Sequence, residues 1–380
     1  MSFYQIPKGN FFISKYIDYI ENNKYPTCEL SQSLTNYLSE IKEHISKIEN
    51  DWDIYKKYTN PYEYIHSKVP YKKKCISKYV PLSRSYFKML EMIAIFDLQF
   101  SSKPINTFHL AEGPGGFIEA MVNTRNRTDD TYIGMTIIDT DPNVPSWKKS
   151  ERFLKQHPNV KIETGADKTG NLLRLKNLEY CHNKYGSSMD LITGDGGFDF
   201  SIDFNKQEYS IAKLLFAQVC YALTMQKYKG TFILKLFDCF MLHTLDILYI
   251  LSSFYEKVYI IKPYTSRHAN SERYIVCKGF LHTNNKGFYS LLHNTFRKML
   301  MSNDNLYTQR FLSYPIPYIF RTKIEEINAI LGQQQIENIY YTISLIEQQQ
   351  SQEKINTMIR NNIKKCISWC SKHNVPQHTL

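Results

Sequence analysis

The chain lacks paired cysteine motifs and long uninterrupted hydrophobic runs. Its eight cysteines are scattered and form no C-x-x-C pair, which argues against a zinc ribbon or a dithiol redox site and favours a reduced intracellular protein. The most apolar segment, 232–254, contains charged side chains, so we expect no membrane-spanning helix and no membrane partner. The N-terminus also lacks the apolar stretch of a signal peptide. We therefore expect a cytoplasmic location, with a nuclear one left open.

Acidic residues are in the minority. The 380 residues include 47 Lys and Arg against 36 Asp and Glu, a formal net charge of +11. Basic proteins of this kind often bind polyanions, of which nucleic acid is the usual one. A solvated basic surface without a partner is the alternative. The hydrophobic content of 43% excludes a disordered chain and leaves room for one large or two modest domains.

A basic and aromatic stretch lies between residues 68 and 88. Cations neutralise phosphates and aromatic rings stack on bases, so this mixture suits single-stranded RNA. A nuclear localisation run or a plain solvated face would look similar. The candidate RNA-binding residues are Lys72, Lys73, Lys74 and Arg84.

Strand and helix patterns alternate from about residue 86 to residue 282. The predicted strands are 107–110, 132–139, 160–163, 189–195, 231–237, 257–261 and 273–280. Helical periodicity is found at 87–96, 117–123, 208–226 and 240–254. This alternation predicts an α/β fold with a doubly wound, mostly parallel sheet. Only a loop joins the last two strands, which predicts an antiparallel hairpin at the edge of the sheet.

The chain divides into three predicted regions. Residues 1–70 form a mostly helical extension, 71–285 the α/β core and 286–380 a helical appendage. Isoleucines at three- and four-residue steps predict amphipathic helices in the appendage, and its glutamine runs at 333–335 and 348–350 predict turns or exposed faces. The appendage helices either pack on the core or bind a protein partner.

A glycine-rich turn follows the first predicted strand. Its glycines allow the backbone to approach a ligand closely, and the amides of the following helix supply donors and partial positive charge. Open α/β sheets bind adenosine-type cofactors at such turns, although ordinary strand-to-helix connections can look the same. The candidate cofactor residues are Glu112, Gly113, Pro114, Gly115, Gly116 and Phe117.

Two acids follow the next strands. Asp139 ends the second predicted strand, where a carboxylate can accept both hydroxyls of a cofactor ribose; Asp141 is a rival. Asp167 follows the third strand and is a candidate acceptor for an adenine amino group. Each of these acids could equally form a turn or cap a helix.

Four further residues occupy positions typical of function. Asp195 ends the fourth predicted strand and precedes two glycines, and Lys235 interrupts an otherwise apolar strand. A lysine in a buried strand is costly unless it is paired or functional. Glu272 precedes the last strand, and Lys88 lies on the helix that leads into the first. A buried ion-pair network without chemistry is the alternative for the set.

These motifs resemble the FtsJ-type ribose 2′-O-methyltransferases. The segments 83–88, 113–117, 234–237 and 271–276, together with Asp195, occur in family order and at family-like spacing, over roughly residues 83–280. The resemblance implies S-adenosylmethionine as cofactor, no metal, and a catalytic set of two lysines and two acids. That set comprises Lys88, Asp195, Lys235 and Glu272, with Asp195 also a candidate cofactor contact. We expect Lys235 to contact the ribose 2′ oxygen, as a base or as a stabiliser of the forming alkoxide.

The segment 109–117 looks most like the mRNA cap methyltransferases, including those of large nucleocytoplasmic DNA viruses. This likeness implies RNA as partner, with methylation of the first or second transcribed nucleotide of capped mRNA, and allows a viral factory or virion as location. Methylation of ribosomal or transfer RNA is one alternative, and a non-catalytic RNA-binding subunit is another. His109 and Ala111 depart from the family pattern, which has Asp and Gly there, and Glu112 is a candidate substitute.

Overall fold

The computed structural model describes residues 3–98, 100, 102–139, 141, 144, 146–197, 204–303, 305–348 and 351–379. The strands are β1 (Phe3–Gln5), β2 (Ile17–Asn22), β3 (Asn106–Leu110), β4 (Thr131–Met135), β5 (Val160–Glu163), β6 (Met189–Gly194), β7 (Gln226–Leu236), β8 (Tyr255–Ile261), β9 (Arg273–Phe280) and β10 (Tyr307–Leu312). The α-helices are α1 (Gln32–Lys47), α2 (Glu49–Thr59), α3 (Ser85–Phe96), α4 (Gly116–Arg125), α5 (Glu151–Gln156), α6 (Leu175–Tyr185), α7 (Gln207–Ser210), α8 (Ala212–Met225), α9 (Leu242–Phe254), α10 (Tyr289–Leu300), α11 (Tyr318–Glu347) and α12 (Gln352–Lys372).

Eight strands form one sheet in the order β1-β8-β9-β7-β6-β3-β4-β5. The strands from β7 to β5 are parallel, and β9 is antiparallel to both of its neighbours. The predicted α/β fold with a mostly parallel sheet and an antiparallel last strand is confirmed. The predicted edge hairpin is wrong in one respect: β8 and β9 do pair, but β9 is inserted between β7 and β8, and β1 extends the sheet beyond β8.

Both faces of the sheet are buried, as is usual for parallel sheets. Side chains alternate along β7, so Phe232 and Leu234 join the apolar cluster under α8 and α9, whereas Ile233 joins the cluster under α3 and α4. The sheet is therefore a rigid middle layer between two cores. Its carboxyl edge, where β3, β6 and β7 end, is the place where open α/β sheets bind ligands.

Three sequence-based boundaries are wrong. The second predicted strand ends at Met135 rather than at Asp139, because the chain then leaves the sheet and Ile138 N donates to Thr169 O at 2.7 Å. The predicted helix 208–226 is divided into α7 and α8, and β7 begins at Gln226. The glutamines at 333–335 do not form a turn within α11, since glutamine is a good helix former; Gln333 and Gln334 lie on an exposed face, the other predicted possibility, whereas Gln335 is buried and its Nε2 donates to Ala269 O at 3.0 Å.

The terminal regions pack against each other and against the core. β1 pairs with β8, and β2 pairs with β10 in a separate two-stranded sheet, so the N-terminal region contains strands as well as helices. Ile45, Trp52, Ile339 and Ile343 form an apolar cluster between α1, α2 and α11. Whether the three regions are separate domains stays a prediction. Within the described residues, no helix has the length and apolarity needed to span a bilayer.

Candidate active site

Two ion pairs lie at the carboxyl edge of the sheet. Lys88, on α3, holds its Nζ 2.6 Å from Oε1 of Glu272, which immediately precedes β9. Lys235, near the end of β7, holds its Nζ 3.3 Å from Oδ1 of Asp195 and 2.7 Å from the carbonyl oxygen of the same residue. The structure therefore pairs the four residues that the sequence analysis selected.

Tyr274 connects the two pairs. Its hydroxyl donates to Asp195 Oδ1 at 2.9 Å, and its ring centroid lies 5.9 Å from Lys88 Nζ. Sequence reasoning missed this residue, although its spacing from Glu272 offered a signal: residues two apart in a strand lie on the same face. A tyrosine that contacts both pairs joins them into one cluster.

Electrostatics in the cluster favour charged pairs. Burial alone would raise the pKa of Glu272, but the ammonium groups of Lys88 and Lys235 outweigh it and hold that pKa well below its usual range. Burial lowers the pKa of Lys88, and Glu272 acts in the opposite direction. The Lys88 side chain is 6% exposed and the Lys235 side chain 13%, so only the second pair is partly open.

The predicted RNA-binding residues fall in two places. Arg84 is exposed at the start of α3, and its charge acts on the pKa values of both Lys88 and Glu272. Lys72, Lys73 and Lys74 are exposed in the loop that precedes α3. Within the described residues, no ion pair connects these three lysines to the cluster. Arg84 is thus the predicted RNA residue that the structure brings to the site.

The glycine turn is tightly enclosed. Gly115 has φ +110°, a conformation that favours glycine, and a Cβ on Gly116 would lie 2.2 Å from Ser83 Oγ. Trp147 packs against both the turn and β4, because a Cβ on Gly115 would lie 3.4 Å from its ring and a Cβ on Gly134 2.4 Å from it. The turn lies beside the ion pairs: Asp195 N donates to the carbonyl oxygen of Leu110, the residue that ends β3, at 3.3 Å.

The two departures from the family pattern have different structural consequences. The His109 side chain is buried between the hydroxyls of Thr107 and Thr193, at 2.9 and 2.8 Å, and burial lowers its pKa to about 3. It therefore lies within the sheet and does not replace a carboxylate at the strand end. Ala111 has φ +52°, the left-handed region in which the family has glycine.

Glu112 occupies the amino end of α4. Its Oε1 accepts from Phe117 N at 2.8 Å and from Ile118 N at 3.1 Å. Burial raises its pKa to about 8, against the effect of these amide donors, and the charges of Asp195 and Lys235 both act on it. The pKa of Glu112 thus depends on the charges of the Lys235–Asp195 ion pair.

The two predicted adenosine acids differ in what they contact. Asp139 is exposed, and its Oδ1 accepts from Asp141 N at 3.0 Å. Asp167 is exposed too, but its Oδ1 accepts from Thr169 N, Thr169 Oγ1 and Asn177 Nδ2 within 3.0 Å, so it shapes its own turn. Ile138, missed by sequence reasoning, is 54% exposed next to Asp139.

These residues fit S-adenosylmethionine. The glycine turn leaves no space for a Cβ atom at Gly116, where the backbone would approach the cofactor. Exposed acids follow β4 and β5, and the exposed Ile138 offers an apolar surface for an adenine. These features follow β3, β4 and β5, at the carboxyl edge of the sheet, where the two ion pairs also lie.

Residues 81–280 match the family described as FtsJ-like methyltransferase. The chain belongs to this family. It is 26% identical over 332 residues to cap-specific mRNA (nucleoside-2′-O-)-methyltransferase 2 of Drosophila melanogaster, covering 83% of this chain and 46% of that protein. It is 32% identical over 222 residues to cap-specific mRNA (nucleoside-2′-O-)-methyltransferase 1 of Homo sapiens, covering 52% of this chain and 26% of that protein.

The FtsJ-like chain spans about half the length of the fly relative and a quarter of the human one. Among solved structures, a putative ribosomal RNA methyltransferase of Plasmodium falciparum superposes with a TM-score of 0.39 at 18% identity, covering 53% of this chain and 98% of that chain. The strand order, and not this likeness, identifies the fold.

Proposed function

We propose that this chain is an S-adenosylmethionine-dependent RNA ribose 2′-O-methyltransferase that acts on the first or second transcribed nucleotide of capped mRNA. The observation that carries the proposal is the half-buried Lys235 ammonium, held by Asp195 beside a second, buried Lys–Glu pair and a glycine turn. The names of the relatives favour capped mRNA as substrate.

S-adenosylmethionine, when bound, supplies a methyl group that a sulfonium already activates. The chain must then bind and orient the two reactants and assist the ribose hydroxyl. The glycine turn, Asp139 and Asp167 would hold the cofactor, with Glu112 at the amino end of α4. Basic residues near α3, including Arg84, would hold the RNA backbone.

Lys235 is the group that we propose touches the 2′ oxygen. An ammonium has three N–H donors; Lys235 Nζ donates to the carbonyl oxygen of Asp195 at 2.7 Å, and the Asp195 carboxylate lies 3.3 Å away as its ion-pair partner. These contacts hold the ammonium in place, and a further N–H can donate to the ribose oxygen as negative charge develops there, while the hydroxyl proton passes to solvent water. Lys88 and Glu272 would act on Lys235 and Asp195 through their charges and would not contact the sugar.

Radiolabelled methyl transfer tests this function. Capped and uncapped RNA oligonucleotides of the same sequence would be incubated with the protein, and nuclease mapping would locate the modified nucleotide. We expect transfer to the first or second transcribed nucleotide of the capped RNA and its loss in Lys235→Ala. Full transfer by Lys235→Ala would contradict the proposed role.

The same assay separates the alternatives. Methylation of uncapped RNA alone would favour a ribosomal or transfer RNA substrate. Absence of S-adenosylmethionine binding by calorimetry would favour the non-catalytic RNA-binding subunit. The places where we propose it acts are those where mRNA is capped, cytoplasmic or nuclear; a viral origin stays a prediction from the resemblance.

A further inference from the structure

Helices outside the family match enclose a cavity beside the ion-pair cluster. The cavity, of about 200 Å³, lies between α1, α2 and α11 and the segment 267–271. Phe237 and Ser271 line it on the side of the cluster. The ring centroid of Phe237 is 6.0 Å from Lys235 Nζ, and Ser271 immediately precedes Glu272. The ring of Phe237 therefore separates the cavity from Lys235, the proposed site of methyl transfer.

The wall of the cavity is cationic. Lys42, Lys56 and Arg267 line it, and the described residues of the lining include no acidic side chain. Each cation has a carboxylate partner outside the lining: Asp238, Asp53 and Glu63 respectively. The cations thus line the cavity while their carboxylate partners do not. This arrangement favours an anionic ligand.

The cavity also offers an aromatic surface and a buried acceptor. Trp52 lines it on the α2 side. Asn60 is 2% exposed, its Nδ2 donates to Glu63 Oε2 at 2.7 Å, and its Oδ1 has no hydrogen-bond partner among the described residues. A buried acceptor without a donor is uncommon in folded proteins and suggests that a ligand supplies the donor.

We propose that this cavity binds one nucleotide of the RNA substrate, close in the strand to the nucleotide whose ribose reaches Lys235. A nucleotide combines an anion for Lys42, Lys56 and Arg267, a ring for Trp52 and an N–H or O–H donor for Asn60 Oδ1. The proposal rests on the proposed function and deepens it, since it gives the terminal helices a part in holding the substrate.

The test compares two neighbouring lysines of α2. Lys56 lines the cavity, whereas Lys57 is exposed one residue later and does not. Binding of a short fluorescein-labelled capped RNA would be measured by anisotropy at several salt concentrations. We expect Lys56→Gln to weaken binding about tenfold and to lower the slope of log K against log salt by about 0.7, and Lys57→Gln to change neither. Equal effects of the two substitutions, or no RNA binding by the wild type, would overturn the proposal.

A second variant distinguishes a nucleotide from a simple anion. Asn60→Ala removes the unpaired acceptor but leaves the cations. We expect it to weaken RNA binding while inorganic pyrophosphate competes as well as with the wild type. If Asn60→Ala bound RNA as tightly as the wild type, the nucleotide assignment would be overturned. Methyl transfer is measured separately: if the wild type transfers no methyl group while the Lys56 effect remains, the proposed function fails and the nucleotide site is supported.

Discussion

The two ion pairs of the cluster have the same chemistry but different surroundings. Lys88 and Glu272 lie 2.6 Å apart, and both side chains are less than 10% exposed. Lys235 and Asp195 lie 3.3 Å apart, are more exposed, and share a second bond through the Asp195 carbonyl. A buried pair cannot meet a substrate without losing its partner, whereas a partly open one can. The comparison therefore assigns a structural and electrostatic role to the Lys88–Glu272 pair, the closed pair. It assigns the contact with substrate to the Lys235–Asp195 pair, the open pair.

Removing Lys88 gives the largest expected effect. Lys88→Met leaves the Glu272 carboxylate buried without its cation, which costs about 3–5 kcal/mol of the free energy of unfolding. Chemical denaturation measures this loss, and methyl transfer should disappear with it.

A paired substitution separates charge from packing at this site. Lys88→Met combined with Glu272→Gln removes both charges, so we expect most of the stability to return while methyl transfer stays absent. A single Lys88→Met variant as stable as the wild type would show that the pair is not a closed structural unit.

Removing Lys235 should affect rate far more than stability. Lys235→Ala deletes the proposed contact to the 2′ oxygen, and loss of such a group lowers the rate by about 10²–10⁴-fold. S-adenosylmethionine affinity, measured by calorimetry, should change little. Lys227→Ala is the matched control, since Lys227 lies on the same strand but pairs with Asp190 at the surface. Equal rate losses in the two variants would remove the distinction between the ion pairs.

Asp195, Lys235 and Glu272 could be selected from the sequence because each borders a strand or interrupts an apolar one. Lys88, on a helix, was selected through its position before the first strand and the family resemblance. Asn60 carries no such signal, since an asparagine after a helix is ordinary, and Tyr274 is marked only by its spacing from Glu272. The positions of α1, α2 and α11 beside the cluster depend on tertiary packing between distant segments, which local periodicity does not encode. The end of β4 was predicted too late because Ile137 and Ile138 extend an apolar run that the structure leaves exposed.

The C-terminal appendage contacts Arg273, the residue that follows Glu272. This guanidinium, next to Glu272 in sequence, donates to Asn328 Oδ1 of α11 at 3.1 Å and to Asp238 at 3.4 Å. Asn328 is fully buried and also donates to Cys239 O at 2.7 Å. A helix outside the family match thus holds the side chain of the residue that follows Glu272.

Asn328→Ala should therefore lower stability and activity together. It leaves a buried guanidinium donor unpaired, at a cost of about 2–3 kcal/mol. Thermal unfolding and methyl transfer measure both effects. Gln333→Ala, at an exposed position of the same helix, is the control and should change neither. Reduced stability with an unchanged rate per folded molecule would mean that α11 supports the fold but not the closed pair.

The smallest expected effect concerns Glu112, whose pKa responds to the charges of Asp195 and Lys235. Burial raises its pKa from 4.5 to about 8 on folding, so the stability it contributes is complete below about pH 4.5 and is lost as pH rises towards 8. Glu112→Gln does not titrate and keeps an oxygen acceptor for the α4 amides. The free energy of unfolding of the wild type relative to this variant should therefore fall by about 2 kcal/mol between pH 5 and pH 7. Denaturant titrations at several pH values measure it, with exposed Glu40→Gln as the control. A flat difference over this range would mean that the α4 amides keep Glu112 ionised throughout and that the open pair always faces a neighbouring negative charge.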